Sequence, residues 1–227
     1  MRVEPGQRLN SQFLEPSAFA FWMHAMVDKV ERSFYLGAMD KTTTDTRLKI
    51  LDTAESLIYQ NGIHATGMDL LVKTSGVARK SIYRHFENKD QVAAAALSAR
   101  DVRWLNWFRQ ECDKAASPEA RILGMFTVLK GWFESEGYRG CAFINTAGEV
   151  GDSHDPIRRI AKHHKQKLLD YTLELTGQLN IAQPAVLARQ LLVLMEGAIT
   201  VSRVMGDYDA ADTARDVAQV LLKQATR

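Results

Sequence analysis

The 227-residue chain carries 29 Lys and Arg against 27 Asp and Glu, a formal net charge of +2, and 46% of its residues are apolar. That length allows one or two domains with a sizeable core, and that apolar content excludes a disordered chain. Two cysteines, Cys112 and Cys141, exclude a disulfide framework and suit a reducing cytosol, and no run approaches the ~20 uninterrupted apolar residues of a membrane span.

Residues 1–38 stand apart. They hold four basic residues (2, 8, 29, 32) and four acidic ones (4, 15, 28, 31), with one apolar patch, Phe19–Met23. The patch is too short for a span, and no basic start or small-residue cleavage site accompanies it, so it is not read as a signal peptide. The segment also lacks the basic clustering of an arm that enters a minor groove. It is read as a neutral N-terminal extension, either poorly ordered or an over-long start.

From there the pattern is helical. Only five prolines occur and strand-type alternation is almost absent, which predicts an all-α fold. A first helix over about 45–60 has one stripe of Ile50, Leu51, Ala54, Leu57 and Ile58, and Asn61-Gly62 stops it. Thr66 is expected to cap a helix over 67–74, with Asp69 three residues on. A third helix covers 78–85. Asn88 opens a fourth, with Gln91 three residues later.

The most informative stretch is TSGVARKSIYRHFENKDQ, 74–91. Gly76 supplies the positive φ of a tight turn between two short helices. Val77 and Ile82 face a small core while Arg79, Lys80, Ser81, Arg84 and His85 face out. Between Lys73 and Lys89 five basic residues meet one acid, a local charge of +4 against +2 for the whole chain. Positive charge gathered on a helix-turn-helix is the footprint of a nucleic-acid binder. The bland alternative, a solvated basic face, suits Arg100 and Arg103 better than this motif.

At these residues a family is recognisable. Residues 46–92 resemble the DNA-binding domain of the TetR family of bacterial transcriptional regulators, through Gly76-Val77, Ser81-Ile82-Tyr83-Arg84-His85-Phe86 and Asn88-Lys89. The resemblance implies a helix-turn-helix domain of three helices over 39–92 and a helical effector-binding and dimerisation bundle over 93–227. It implies that the 78–85 helix reads the major groove through Arg79, Lys80, Ser81, Arg84 and His85. It also implies phosphate contacts from Thr66, Tyr83 and Lys89, the last at a helix start where free N–H groups favour an anion.

Beyond position 92 the pattern predicts helices over 89–115, 118–134, 156–176, 184–205 and 210–225, with Ser117-Pro118 and Asp155-Pro156 as starts. In the resembled family a small molecule sits within this bundle. Trp104, Trp107, Phe108, Phe126, Trp132, Phe133 and Phe143, with His164, are candidates to line its pocket; each taken singly is better explained as core, while some of the set are expected to border a cavity. The segment 140–149 is similar to a stretch found in one branch of the family. His163 and His164 point about 100° apart on a helix, which argues against a shared metal, and Cys112 and Cys141 are read as ordinary buried thiols.

The last two helices carry a dimer pattern. Leu187, Leu191, Leu194, Ala198 and Val201 recur at helical spacing, as do Val217 and Leu221, and further apolar positions (Val186, Val193, Ile199, Val220, Leu222) give these helices more than one stripe. A second stripe is expected to be buried against a partner copy. The reading is a cytoplasmic, ligand-responsive repressor that binds double-stranded operator DNA as a homodimer and is released by a small-molecule effector, with no cofactor, metal or membrane partner. An enzyme is disfavoured because no phosphate loop, Cys-x-x-Cys, His-Glu-x-x-His or nucleophile elbow occurs. A helical interaction module without DNA binding is disfavoured by the intact Tyr83 and Lys89.

Overall fold

A computed structural model describes residues 41–226; the expectation for residues 1–38 lies outside the described residues. Among the described residues the chain forms nine helices and no strand. They are α1 (Lys41–Asn61), α2 (Met68–Ser75), α3 (Arg79–His85), α4 (Lys89–Cys112), α5 (Pro118–Phe133), α6 (Ala142–Glu149), α7 (Pro156–Thr176), α8 (Pro184–Met205) and α9 (Ala210–Ala225).

Two cores form. The smaller one gathers Ile50, Leu51, Ala54 and Leu57 of α1 with Leu71, Val77, Ile82 and Phe86 around the α2–α3 turn, and Val92 and Ala96 of α4 close it. The larger core holds Trp104, Leu105 and Phe108 of α4 with the inner faces of α5 to α9. α4 therefore serves both. At 1.5 Å per residue its 24 residues make a rod of about 36 Å.

The helix starts follow local chemistry. Asn88 accepts from Gln91 N–H at 2.9 Å, and the Gln91 side chain accepts from Glu87 N–H at 3.0 Å, a reciprocal cap. Ser117 caps α5 by accepting from Ala120 N–H, and Asp155 caps α7 by accepting from Ile157 N–H. The cap expected from Thr66 is corrected. Gly67 occupies the cap position of α2 without a side-chain bond, and the Thr66 hydroxyl turns back to donate to Gly62 O at 2.7 Å.

A second correction concerns Arg100 and Arg103. They are not on a solvated face but buried, both paired with Glu55 of α1, Arg100 at 2.8 Å. The Arg100 guanidinium also lies 4.0 Å over the Tyr59 ring. A buried carboxylate is tolerable only when paired, and here the pairing fastens α1 to the middle of α4.

By length and composition alone, α8 is apolar enough to cross a membrane. Arg189, Glu196 and Arg203 interrupt it, and it packs between α7 and α9, burying Leu187, Leu191, Met195 and Ile199.

Candidate nucleic-acid interface and effector cleft

The α2–α3 unit is held from within. Gly76 takes φ +63° and donates its N–H to Val72 O, turning the chain between the helices. Ile82 is fully buried and Phe86 nearly so, which fixes the rotation of α3. Arg79, Lys80, Tyr83 and Arg84 are consequently exposed together on the outer face. Arg79 is paired with Asp69 of α2, and Arg84 donates to Ser81 Oγ at 2.9 Å. His85 is partly buried; burial and the nearby Arg47 and Arg84 guanidinium groups hold its imidazole below the usual range.

The remaining two expected contacts sit differently. Lys89 spends one donor on Ile63 O at 3.0 Å and keeps two others. The Thr66 side chain is 5% exposed and its hydroxyl proton is engaged, so its side chain is part of the α1–α2 turn rather than of the outer face.

That turn is gripped by the bundle. Glu149, the last residue of α6, accepts the His64 N–H at 3.1 Å through its carboxylate, and its carbonyl oxygen lies 3.0 Å from His64 Nε2. Its carboxylate also sits 2.7 Å from where a Cβ on Gly62 would be, and Gly62 has φ +88°. At the other end of α6, the Tyr59 hydroxyl donates to Gly140 O and accepts from Arg139 N–H, both at 2.9 Å. α6 is eight residues long without a side-chain cap bond at Cys141. Its periodicity is too short to assign from sequence, and the roles of Tyr59, His64 and Glu149 depend on contacts some 80 residues apart.

The expected pocket residues divide between core and cleft. Trp104, Trp107, Phe108, Phe126, Trp132 and Phe133 fill the bundle interior instead of lining a cavity. Trp104 stacks on Phe108 at 4.9 Å and meets Trp132 edge-on at 5.3 Å. Rings in contact at these distances pack as core. An open cleft of about 910 Å³ lies between α6, α7 and α8. Of the expected pocket residues, Phe143 lines it. His164 stands behind Phe143, its ring stacked at 3.8 Å, with Nδ1 2.7 Å from the Asp101 carboxylate.

A polar cluster reaches the wall of the cleft. Lys165 Nζ contacts Glu196 at 2.8 Å and Cys141 Sγ at 3.3 Å. Burial alone would raise the Cys141 thiol, but the Lys165 ammonium and a hydrogen bond from His164 outweigh it and bring it down to about 7. Cys112, buried near Asp113, is pushed well up instead.

The expected dimer stripe is corrected in part, since Val217 is exposed with the second-stripe positions Val186, Val193 and Val220. Leu187, Leu191 and Ala198 are buried in the core of their own chain, as are Ile199 and Leu222. Leu194, Val201 and Leu221 are half-buried. The exposed apolar stripe runs through Val186, Val193 and Val204 on α8 and Val217 and Val220 on α9.

Comparison with known proteins places this architecture. The family model of bacterial regulatory proteins of the tetR family matches residues 50–96, and that of the tetracyclin repressor-like C-terminal domain matches 118–218. The HTH-type transcriptional regulator YjdC of Escherichia coli (strain K12) is 26% identical over 180 residues, covering 79% of this chain and 94% of the relative. The HTH-type transcriptional repressor NemR of the same organism is 28% identical over 122 residues, covering 52% and 60%. A crystal structure of a TetR-family transcriptional regulator from Streptomyces coelicolor superimposes with a TM-score of 0.75 at 26% identity, over 81% of this chain and 97% of that one. With an N-terminal helix-turn-helix unit joined to a C-terminal helical bundle, the chain belongs to the TetR family and is a DNA-binding transcriptional regulator.

Proposed function

We propose that the protein is a homodimeric repressor that leaves its operator when a small molecule enters the α6–α7–α8 cleft. The observation that carries this reading is the grip of Glu149 on the α1–α2 turn. Ala147 and Gly148 line the cleft, and the next residue holds His64 of the DNA-binding unit. A ligand that favours a shifted α6 therefore favours a shifted α1–α2 turn, and with it a different placement of α3. Binding moves the equilibrium between these arrangements only by the ligand's differential affinity for them.

On the DNA, α3 enters the major groove. Arg79 and Lys80 reach base edges, with Arg79 exchanging its Asp69 partner for guanine O6 and N7. Tyr83, Arg84 and Lys89 hold phosphate, Ser81 orients Arg84, and His85 flanks the groove. One α3 covers a half-site, so a two-fold dimer is needed for a palindromic operator. The stripe of Val186, Val193, Val204, Val217 and Val220 supports that dimer, because an apolar stripe on two adjacent helices is best buried against the same patch of a second copy.

The test is a gel shift on DNA from the protein's own promoter across a salt series. Binding to one palindromic site, with affinity falling steeply as salt rises, is the expected result. Sequence-indifferent binding, or none, would remove the repressor reading.

A further inference from the structure

We infer that the cleft takes an amphipathic organic anion, a carboxylate or comparable acid on an apolar body. This rests on the cleft being the effector site. The apolar wall is Phe143, Ile144, Ala147 and Leu192. The polar wall holds Ser153 and His154 and four cations, Arg158, Arg159, Lys162 and Lys165, against one acid, Glu196. Lys165 already neutralises that acid at 2.8 Å. Three positive charges remain on the wall with no lining carboxylate against them.

Arg158 is turned to the Ala147 carbonyl, so it also braces α6 against α7. Arg159 and Lys162 have no ion-pair partner among the described residues. Arg158 and Arg159 stand in the first turn of α7, where the Asp155 carboxylate already caps the helix by accepting from Ile157 N–H. The dipole at that end is thus met from within the chain, and the guanidinium and ammonium groups of the wall are what attract the ligand's anion. Bidentate Arg–carboxylate pairing supplies the geometry for selection.

A neutral ligand would leave these charges without a counter-ion, and a cationic ligand would be repelled. A cleft of about 910 Å³ accommodates an apolar body of drug-like size beside the charged end.

The experiment uses the full chain and a panel of octanoate, decanoate and 4-phenylbutyrate, each beside its primary amide and its amine. Isothermal titration and thermal shift read binding without DNA. The carboxylates are expected to bind and raise the melting temperature, with amides at least about tenfold weaker and amines weaker still. The double variant Arg159→Gln, Lys162→Gln changes exposed side chains and should keep the melting temperature of the ligand-free protein while losing the preference for carboxylate over amide. Equal binding of amides, preferential binding of amines, no binding by any carboxylate, or an unchanged preference in the variant would overturn the inference. The repressor reading is tested separately by the ligand-free gel shift. A carboxylate that binds with the expected preference yet leaves operator affinity unchanged sustains the anion site and overturns its role as effector site.

Discussion

Arg79→Ala or Lys80→Ala should change which operator is preferred, costing roughly 1–3 kcal/mol at one base position. Selection from randomised operators measures this, and an unaltered site would assign both side chains to phosphate. Lys89→Ala should instead weaken all DNA about equally and lower the salt slope by roughly one per subunit. A second prediction concerns the thiols. Thiolate is the nucleophile, and Cys141 stands at about 7 beside Lys165 while Cys112 is pushed well up. Thiolate absorbance in the ultraviolet should titrate through neutral pH for Cys141, show no such step for Cys112, and shift to a higher midpoint in Lys165→Met. The linkage has a definite sign. The folded value lies below the ordinary thiol value of 9, so this thiol adds stability as pH rises through that window and loses it as pH falls through 7. At this scale the sequence was informative wherever one residue answers to its neighbours. Gly76, Val77, Ile82 and Asn88 stand as read, because turn geometry and periodicity are local. Arg100, Arg103 and Thr66 were misread, because their partners Glu55 and Gly62 become neighbours only through packing or a backbone reversal.

Eight helices were legible in outline from periodicity and caps, and α6 was not, since eight residues complete barely two turns. The last two helices show a subtler limit. α8 and α9 are apolar on two faces, and spacing alone cannot say which face the chain keeps for itself. Packing of α7 and α9 against α8 decides it, sending Leu187, Leu191 and Ala198 inward and Val193 outward. Val193, 70% exposed, is therefore the sharper probe. Val193→Glu should yield monomers by light scattering with an unchanged circular dichroism spectrum, and should abolish binding to a palindromic site. A dimer that survives the change would move the interface elsewhere. Between α1 and α4 the decisive contact is ionic. Glu55→Ala leaves Arg100 and Arg103 buried without a counter-charge, and breaking a buried pair in this way costs on the order of 3–5 kcal/mol. Chemical denaturation of the variant reads that loss directly.

The described residues form two cores threaded on one helix, with α6 clasping the first core from the second. Glu149→Ala should leave ligand-free operator binding within about tenfold of the parent while reducing the effect of a bound ligand, because coupling is a free energy separable from either affinity. Gel shifts with and without ligand give both numbers. If Glu149→Ala keeps the full ligand response, the clasp is structural only. The architecture at this scale was legible through the resemblance of residues 46–92, whereas the site of the cleft was not, since aromatic residues in a helical sequence mark a core and a pocket wall alike. α4 has a further consequence, for recombination. Its faces belong alternately to two cores, Val92 and Ala96 to one, Ala93 and Leu97 to the other. A crossover that exchanged the DNA-reading segment with that of another regulator near position 92 would join half of a rod to a foreign half. The graft would have to inherit Arg100 and Arg103 along with Glu55, and Glu149 along with the turn it holds. New operator specificities in this lineage are thus expected to arise by substitution on the outer face of α3, where Arg79, Lys80, Tyr83 and Arg84 touch neither core, rather than by shuffling of modules.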